Sequence, residues 1–341
     1  MKRRDFAMGA PLIVAAATLG SRSILAQPKT IRLVESGGKS GESIEVAYVK
    51  PFTAKTGVRV SREAPNPLGK LRAMVESGKI TATLFELGSP SLAQAKALGL
   101  LDKLDWSAID PLPIFPEAHD DYGMGYQYFS TVMAWRDDAK APATWTDFFD
   151  VAGFPGKRAL PDYPHYLLQF ALIADGVPVD KVFPLDIDRA FRKLESVKNS
   201  VSVWWKAGTQ PPQLLKDNEV RYAISWSTRI ADEPTLRFTY EQGMYDISWL
   251  TVPKGVDPAE KALAMKFLHE VTVPENQLRA TEIIKLSCNS VDLERLVGAE
   301  KFAAFPTAAK NKASQFQQNG EWWRSNGEAV NKRWEAFKLA L

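Results

Sequence analysis

The chain has 341 residues, of which 45% are hydrophobic and 24% charged, and these fractions are typical of a globular protein. It carries 43 Lys and Arg against 40 Asp and Glu, but four of the basic residues and one of the acidic residues lie in the first 26, which leaves 39 of each. This balance excludes the basic surface that binding to nucleic acid or to an anionic membrane would require. Cys288 is the only cysteine, which excludes an intrachain disulfide, a cysteine-based metal cluster and a lipid-anchoring cysteine beside the N-terminus.

The first 26 residues have the pattern of an export signal. Arg3 and Arg4 precede Asp5 and Phe6, as in signals of the twin-arginine type, and an ordinary Sec signal is the alternative. The apolar run over residues 10–19 is shorter than the ~20 residues of a spanning helix. We therefore expect cleavage near Ala26 and a periplasmic protein without a direct membrane anchor.

The mature chain begins with a βαβ unit. Strands are predicted over residues 30–34 and 58–61, with a helix over residues 42–55 between them. The loop before the helix contains Ser36, Gly37 and Gly38, whose backbone N–H groups can bind a polar or anionic group. A tight turn without a ligand explains the loop equally well. Leu33 stands where a P-loop would need glycine, so a nucleotide site is not expected.

The same pattern repeats towards the middle of the chain. A helix over residues 68–77 precedes a strand over 81–87, a turn that contains Ser89, and a helix over 92–98. The long aromatic strand over 125–135 is where we expect the chain to pass into a second lobe. Further segments are predicted as a helix over 145–151 capped by Thr144 or Thr146, a strand that ends at 160, and helices over 167–174 and 188–197.

The stretch from Trp204 to Arg229 is predicted to form one wall of a ligand site. It contains an aromatic turn, a helix over 212–216 and a strand over 221–226 that ends in a polar loop. Ligands bind beyond the carboxyl ends of strands in open α/β sheets, so Trp226, Ser227 and Arg229 are expected to face a cleft. A strand over 247–252 returns the chain to the first lobe, so two strands form a hinge, and helices follow from residue 258.

Catalytic and metal-binding motifs are missing from the sequence. There is no Gly-x-Ser-x-Gly, no His-Glu-x-x-His and no pair of cysteines, and the three histidines occur in unrelated contexts. An exported enzyme is therefore disfavoured, and we predict no catalytic residue, metal site or cofactor. Tyr163, His165 and Tyr166 could hold ferric iron, but a cluster without acidic companions is more often an aromatic wall.

Aromatic residues near predicted loops and strand ends are candidates for the surface of a cleft, although each alone also fits core packing. Arg229 differs from them because its guanidinium is a rigid fork that pairs with a carboxylate through two hydrogen bonds. Its alternative role is a surface ion pair with Asp232 or Glu233. The aromatic candidates are Tyr126, Tyr128, Tyr163, Tyr166, Trp204, Trp205, Trp226 and Trp249.

Several stretches together resemble the periplasmic solute-binding proteins of ABC importers, in particular the spermidine/putrescine-binding branch. The resemblance implies a type II periplasmic binding protein fold, with two α/β lobes that close on a small-molecule solute, and an ABC permease in the inner membrane as partner. The implied lobes are residues 27–127 with 252–310, and 128–251, with C-terminal helices over 311–341, and a monomer is expected. The matching stretches are PFTAKTGVRV (51–60), DFFDVAGFPGKRAL (147–160), PLDIDRAFRKL (184–194), QLLKDNEVRYAISWSTRI (213–230) and ISWLTVPKG (247–255).

The residues implied for the ligand differ from those of polyamine binders, which hold ammonium groups with carboxylates. Tyr163, Tyr166 and Ser248 align with the acidic positions, although a shift of one or two residues would bring in Asp162 or Asp246. Trp226 matches the tryptophan of the family, and Ser89 matches a small polar position. Arg229 stands where a small residue is usual. These differences favour an anionic solute such as a small carboxylate, with polyamine and ferric iron as alternatives.

Overall fold

The computed structural model describes residues 30–340, so the predicted export signal lies outside the described residues. Most strands join one continuous mixed sheet. The strands are β1 (Thr30–Val34), β2 (Arg59–Glu63), β3 (Leu84–Gly88), β4 (Leu101–Asp102), β5 (His119–Asp120), β6 (Gly123–Arg136), β7 (Arg158–Pro161), β8 (Val201–Trp205), β9 (Tyr222–Trp226), β10 (Leu236–Pro253), β11 (Ser287–Cys288) and β12 (Phe316–Gln317).

Helices cover both faces of the sheet, and a π-helical turn over Glu45–Val49 joins the first two of them. Among residues 30–340, no helix is both long enough and apolar enough to cross a bilayer. The helices are α1 (Gly38–Ile44), α2 (Lys50–Thr56), α3 (Leu68–Glu76), α4 (Ser89–Ala97), α5 (Trp106–Ile109), α6 (Trp145–Phe149), α7 (Leu168–Ala174), α8 (Ile187–Val197), α9 (Gln210–Lys216), α10 (Ser227–Ile230), α11 (Pro258–Thr272), α12 (Pro274–Ile283), α13 (Leu293–Val297), α14 (Ala299–Phe302), α15 (Ala309–Ala313) and α16 (Gly320–Lys338).

The main strands follow the order β2-β1-β3-β10-β6-β9-β7-β8. β1 is parallel to β2 and β3, and β7 is parallel to β8 and β9, so each half of the sheet is a parallel α/β unit. The antiparallel strands β6 and β10 lie between the halves and pair from Leu236 with Arg136 to Thr251 with Gly123. Carboxyl ends of parallel strands in both halves therefore point towards the space beside this pair.

Each half has its own hydrophobic core, which defines two lobes. Lobe 1 buries Phe52 against Phe267, with their rings edge to face at 5.3 Å. Lobe 2 buries Trp145 stacked on Phe170 at 4.0 Å. Fully buried aromatic pairs of this kind stabilise each core beyond their area burial, by roughly 0.5–1.5 kcal/mol per pair.

The two predicted crossings between the lobes are β6 and β10, and the chain then crosses a third time. β12 runs parallel to β10 beside Met244 and Tyr245 and carries the chain from the core of lobe 1 to α16. Helix α16 buries Trp323, Val330, Trp334 and Phe337 in the core of lobe 2. Its first residues also touch lobe 1, because the backbone of Gly320 lies against Ser89, where a Cβ would come within 2.7 Å of the Ser89 carbonyl oxygen.

Local sequence signals explain several of the elements. Thr144 and Asp147 form a reciprocal capping box at the start of α6, which satisfies two backbone N–H groups. Arg158 is almost fully buried and donates to the carbonyl oxygens of Phe148 at 3.0 Å and Phe154 at 2.7 Å. A charged group at this depth requires such partners, so Arg158 ties the loop after α6 to β7.

Three local predictions are wrong. Ser89 is the first residue of α4 and not part of a turn before it. Trp204 and Trp205 belong to strand β8 and not to a turn, because they pair with Leu160 and Pro161 of β7. The segment after β9 is the short helix α10 and not a loop, so Ser227 and Arg229 are helical. The strand position of Trp204 and Trp205 depends on a strand more than 40 residues earlier in the chain, whereas α10 is closed by the local bond from the Ala231 N–H to the Ser227 oxygen.

Candidate ligand-binding cleft

A cleft of about 460 Å³ lies between the two lobes, beside the strands that cross between them. Lobe 1, the crossing strands and lobe 2 each contribute side chains to its lining. The lining residues are Ser36, Gly37, Gly38, Ser40, Pro65, Asn66, Glu86, Leu87, Gly88, Ser91, Gln127, Phe129, Tyr163, His165, Tyr166, Lys206, Ala207, Gly208, Thr209, Trp226, Thr228, Arg229, Ser248, Ile284 and Leu286. A cleft of this volume suits a small organic molecule.

Glu86 is the carboxylate of the lobe 1 wall. It sits near the end of β3, is 2% exposed, and accepts hydrogen bonds on both oxygens. One oxygen accepts from the Ser36 N–H at 2.6 Å and from Asn66 Nδ2 at 3.3 Å, and the other accepts from the Tyr126 hydroxyl at 2.7 Å and from Gln127 Nε2 at 3.3 Å. Four donors and no acceptor around one carboxyl group favour its ionised form.

The pKa of Glu86 reflects two opposing effects. Burial raises it above the usual value, and the hydrogen bonds from Tyr126 and Ser36 act in the opposite direction. Burial also raises the pKa of Tyr126 well above its usual value, so its hydroxyl stays protonated and remains a donor. A buried carboxylate held in this way gains from a cation placed beside it.

The predicted anion-binding loop at Ser36–Gly38 has a different use in the structure. The N–H of Ser36 binds Glu86, and the N–H of Gly37 binds the side chain of Glu35. Glu35 in turn pairs with Arg62 at 2.8 Å. Carboxylates of the protein therefore occupy two of the three backbone donors, and the loop positions Glu86. All three residues also line the cleft, so their contact with a ligand stays a prediction.

Arg229 is the principal cation of the lobe 2 wall. Within residues 30–340 its guanidinium has no hydrogen-bond partner, and its Nε is buried without one. Burial lowers the pKa of Arg229, and the charge of Glu86 opposes that change. A guanidinium remains charged in proteins, so this side chain presents unpaired donors to the cleft.

The surface ion pairs considered for Arg229 are taken by other residues. Asp232 lies 3.1 Å from Lys285, and Glu233 lies 3.1 Å from Lys216. The backbone of Gly38 lies close to the guanidinium of Arg229. A Cβ at Gly38, whose φ is +62°, would lie 3.1 Å from a terminal nitrogen of Arg229, so this backbone of lobe 1 approaches the guanidinium closely.

Three aromatic rings form a continuous apolar surface beside Arg229. Phe129, Tyr166 and Trp226 meet edge to face, with centroids 5.8 to 6.5 Å apart. The Nε1 of Trp226 is buried and has no partner among the described residues. Gly208 makes room for this indole, because a Cβ there would lie 2.4 Å from its Cζ3. The surface therefore offers apolar contact together with one unused donor.

Asp246 connects the two lobes just behind the lining. It accepts from the Ser89 N–H of lobe 1 at 3.4 Å and from the Tyr166 hydroxyl of lobe 2 at 3.3 Å. Burial raises its pKa to about 6, although these hydrogen bonds lower it in part. The carboxylate therefore titrates just below neutral pH.

The structure brings eight of the sequence-predicted site residues together in the lining. Two more contact it from behind, since Tyr126 binds Glu86, and Asp246 binds both Tyr166 and Ser89. The eight lining residues are Ser36, Gly37, Gly38, Tyr163, Tyr166, Trp226, Arg229 and Ser248.

The other predicted residues are not among the lining residues. The hydroxyl of Ser227 receives the Ser130 N–H, and Ser89 accepts from the indole of Trp249. Tyr128 is buried in the core of lobe 1. Trp204 packs against Trp334 of α16 at 5.4 Å. Each is used by a neighbour that local sequence could not reveal.

Sequence reasoning missed Glu86, Asn66 and Gln127. Glu86 was a visible signal, because it is the one charged residue in the apolar run over 81–87 and stands near its carboxyl end. Gln127 joins the two sides of the cleft floor, where its Nε2 donates to Ser40 at 3.0 Å and to Ser248 at 3.1 Å. Asn66 also donates to the backbone oxygen of Glu86 at 2.9 Å.

Nothing in the described part of the chain gathers three His, Cys, Asp or Glu side chains as a metal site would. His165, considered above for iron, lies against the rings of Tyr166 at 4.4 Å and Trp323 at 5.8 Å. Burial lowers its pKa to about 4, so the imidazole is neutral at physiological pH. These contacts make His165 part of the aromatic surface.

A two-lobed α/β fold with a polar, aromatic-lined cleft at the crossing strands defines a solute-binding protein. The model of the bacterial extracellular solute-binding protein family matches residues 47–290. The chain belongs to this family. It is therefore the substrate-binding component of an ABC importer and not an enzyme: it captures a small organic solute outside the cytoplasm and delivers it to the permease in the inner membrane.

Individual relatives extend the comparison. The chain is 32% identical over 325 residues to the gamma-aminobutyric acid-binding protein of Pseudomonas aeruginosa, covering 92% of each sequence. It is 33% identical to an ABC transporter substrate-binding protein from Bradyrhizobium japonicum, with a TM-score of 0.84 over 90% of this chain and 99% of the other. The periplasmic binding protein AgtB of A. tumefaciens in complex with agropinic acid is 29% identical, with a TM-score of 0.82 over 90% and 98%.

The arrangement of the lobes is closer to that ligand complex than to an open form. AttC of Agrobacterium tumefaciens, in an open unliganded conformation, is also 29% identical and covers 90% of this chain and 99% of its own, but has a TM-score of 0.68. Because identity and coverage are nearly equal, the lower score reflects a difference in overall arrangement.

Proposed function

We propose that the cleft binds a small amino acid of the gamma-aminobutyric acid type through both of its charges. The carboxylate of the ligand pairs with the guanidinium of Arg229, and its ammonium group faces Glu86. The methylene chain between them lies on the rings of Phe129, Tyr166 and Trp226. The observation that carries the proposal is the half-buried guanidinium of Arg229, whose Nε is buried without a hydrogen-bond partner among the described residues.

Buried charges without hydrogen-bond partners are unfavourable in free energy, and both walls of the cleft contain a charge that a ligand can pair. A half-buried guanidinium without hydrogen bonds is unfavourable until an anion supplies them. Glu86 adds a negative charge on the opposite wall, so a purely anionic solute would lie near an unfavourable carboxylate. A zwitterion satisfies both walls, which refines the expectation of a simple carboxylate and disfavours a polyamine, whose ammonium groups Arg229 would repel. The name of the P. aeruginosa relative supports the same ligand class.

The remaining aspects of the function follow from the same picture. We infer that the protein acts as a monomer, because one chain supplies every side chain of the cleft. The lobes correspond to residues 27–127 with 252–310 and to 128–251, and the segment from residue 311 to the last described residue, 340, packs on both. The signal is of the twin-arginine type and is cleaved near Ala26, which leaves a diffusible periplasmic protein.

Calorimetric titration of the mature protein tests the proposal. Gamma-aminobutyric acid is compared with butyrate, which lacks the ammonium group, and with butylamine, which lacks the carboxylate. Putrescine and spermidine represent the polyamine alternative. We expect gamma-aminobutyric acid to bind at least about 100-fold more tightly than either single-charge analogue, since each buried charge pair contributes about 2–5 kcal/mol. Tight binding of putrescine, or equal binding of butyrate, would contradict the proposal.

A further inference from the structure

We propose that Lys39 and Lys285 of lobe 1 and Asp232 of lobe 2 form an ionic latch across the mouth of the cleft. The latch stabilises the closed form and positions the helix that carries Arg229. The inference deepens the proposed function, on which it rests only for the ligand used as a probe. These three residues are called the latch.

Both lysines of the latch lie within ion-pair distance of Asp232. Lys285 Nζ lies 3.1 Å from one carboxylate oxygen of Asp232 and also donates to the carbonyl oxygen of Ala231 at 2.9 Å. Lys39 Nζ lies 3.9 Å from the other oxygen of Asp232. One carboxylate thus receives a cation on each oxygen, and the backbone beside it is held as well.

Each latch residue is adjacent in sequence to the wall of the cleft. Lys39 lies between the lining residues Gly38 and Ser40, and Lys285 lies between Ile284 and Leu286. Ala231 and Asp232 directly follow α10, whose third residue is Arg229. The latch therefore joins the first turn of α1, where the Gly38 backbone approaches the guanidinium closely, to helix α10 of lobe 2, which carries Arg229.

The position of the latch gives it an effect that an ordinary surface ion pair lacks. All three side chains are partly exposed, and such pairs contribute little when both partners belong to one rigid unit. A pair that spans two lobes is formed only when the lobes are closed. Its whole contribution therefore shifts the equilibrium between open and closed forms, and the ligand is released more slowly.

The charges of the latch predict which rate constant changes. Two lysines and one aspartate leave a net positive charge at the mouth. Asp232→Asn breaks the latch and makes that mouth more positive, so the attraction for a carboxylate ligand does not decrease. We therefore expect a faster dissociation with an undiminished association rate constant, which a general loss of folding would not produce.

Stopped-flow tryptophan fluorescence with gamma-aminobutyric acid measures both rate constants. At low ionic strength, Asp232→Asn and Lys285→Gln should each raise the dissociation rate constant roughly three- to fivefold, and the double variant no more than the larger single effect. High salt should reduce the difference from the wild type. The matched control is Asp121→Asn, which breaks the exposed 2.6 Å pair with Lys103 within lobe 1 and should leave dissociation unchanged.

Dissociation rates unaltered by Asp232→Asn, effects that add in the double variant, or an equal effect of Asp121→Asn would each overturn the latch. A second measurement needs no ligand, because an irreversible cross-link accumulates each time the ligand-free protein visits the closed form. Zero-length carbodiimide coupling followed by mass spectrometry should join Asp232 to Lys285 in the wild type, and failure to form this cross-link would also overturn the proposal. If the cross-link forms but gamma-aminobutyric acid does not bind, the latch stands and the proposed ligand is wrong.

Discussion

The two walls of the cleft treat their charges in opposite ways. On lobe 1, Glu86 accepts four hydrogen bonds from groups of the protein. On lobe 2, Arg229 has a guanidinium without partners in the described chain, and the indole N–H of Trp226 nearby is unpaired as well. Glu86 is therefore held by the protein before a ligand binds, whereas the guanidinium of Arg229 gains its hydrogen-bond partners only from the ligand.

This difference separates positioning from recognition. Hydrogen bonds already made within the protein fix geometry but offer a ligand only the remaining charge, which for Glu86 is an attraction for a cation. A buried donor without a partner is unfavourable until a ligand accepts its hydrogen bond. Most of the favourable free energy of binding therefore comes from the lobe 2 wall that carries Arg229. Substitutions on the two walls should therefore differ in size and in kind.

The largest effect is expected from Arg229→Gln. This change should weaken binding of gamma-aminobutyric acid by about 2–5 kcal/mol, because it removes the buried charge that pairs the carboxylate. The thermal stability of the ligand-free protein should be equal or higher, since an unpaired buried group is lost. Calorimetry and thermal unfolding measure the two quantities. Arg221→Gln, which removes a surface pair with Asp138, is the control and should alter neither affinity nor selectivity.

Glu86→Gln should have a smaller effect on binding and a larger effect on the fold. In the glutamine, an NH₂ group replaces one carboxylate oxygen and faces the two donors that this oxygen accepted from. We therefore expect a loss of about 1–3 kcal/mol in the free energy of unfolding. Affinity should fall together with it, because the attraction for the ammonium group is removed. Urea unfolding and calorimetry test this, with the exposed Glu76→Gln as control. An unchanged free energy of unfolding would show that the wall of lobe 1 is not held as described.

Acidification should change the contributions of His165 and Asp246 to the free energy of unfolding in opposite directions. The pKa of His165 is about 4 in the folded protein, below the usual 6.5, so its stabilising contribution is complete above pH 6.5 and is lost as the pH falls towards 4. Asp246 acts in the opposite direction. Its pKa is raised to about 6 in the folded protein, so its protonation stabilises the folded state as the pH falls below 6, and this contribution is lost as the pH rises through 6.

His165→Phe keeps an aromatic ring and removes the first contribution. Between pH 6.5 and 4.5 this variant should therefore lose less stability than the wild type, by about 1–2 kcal/mol once partial exposure of the ring is considered. Urea unfolding at both pH values measures the difference, and exposed His119→Phe is the control. An identical pH dependence in wild type and His165→Phe would contradict the burial of this imidazole.

The smallest effect is expected from Trp226→Phe. The ring surface is largely kept and only the unpaired indole N–H is removed, so affinity should fall by about 0.5–1.5 kcal/mol if the ligand accepts this hydrogen bond. Calorimetry with gamma-aminobutyric acid measures the change. The control is Trp205→Phe, whose indole donates to the Ile224 carbonyl inside lobe 2 and should affect stability more than affinity. An affinity equal to that of the wild type would show that the ligand accepts no hydrogen bond from the indole N–H of Trp226.

Features with local causes could be predicted from the sequence. The capping box at Thr144, the apolar stripe of α8 and the strand that ends at Trp226 depend on residues a few positions apart. Arg229 could be singled out because its guanidinium is a rigid fork of donors three residues after the end of a strand, where ligands bind in α/β sheets. The same reasoning could not find the third crossing, which depends on β12 pairing with a strand some 70 residues earlier.

Contacts between distant segments explain what the sequence could not provide. Trp204 resembles a ligand-binding aromatic, but α16 covers it from more than 120 residues further along the chain. Glu86 resembles a charged residue at an exposed strand position, and only the fold surrounds it with Ser36, Asn66, Tyr126 and Gln127. The loop at Ser36–Gly38 resembles an anion site, and only the fold shows that the anions it binds are side chains of the protein.

The central claim is that Arg229 pairs with the carboxylate of the ligand, and one thermodynamic cycle tests it directly. Gamma-aminobutyric acid is compared with 4-aminobutyramide, which keeps the ammonium group and has a neutral carboxamide in place of the carboxylate. Both are titrated into the wild type and into Arg229→Gln. The wild type should prefer the acid by at least about 100-fold, and the variant should prefer it by less than about fivefold, since the preference arises from the removed charge pair. An equal preference in both proteins would show that Arg229 does not pair with the carboxylate.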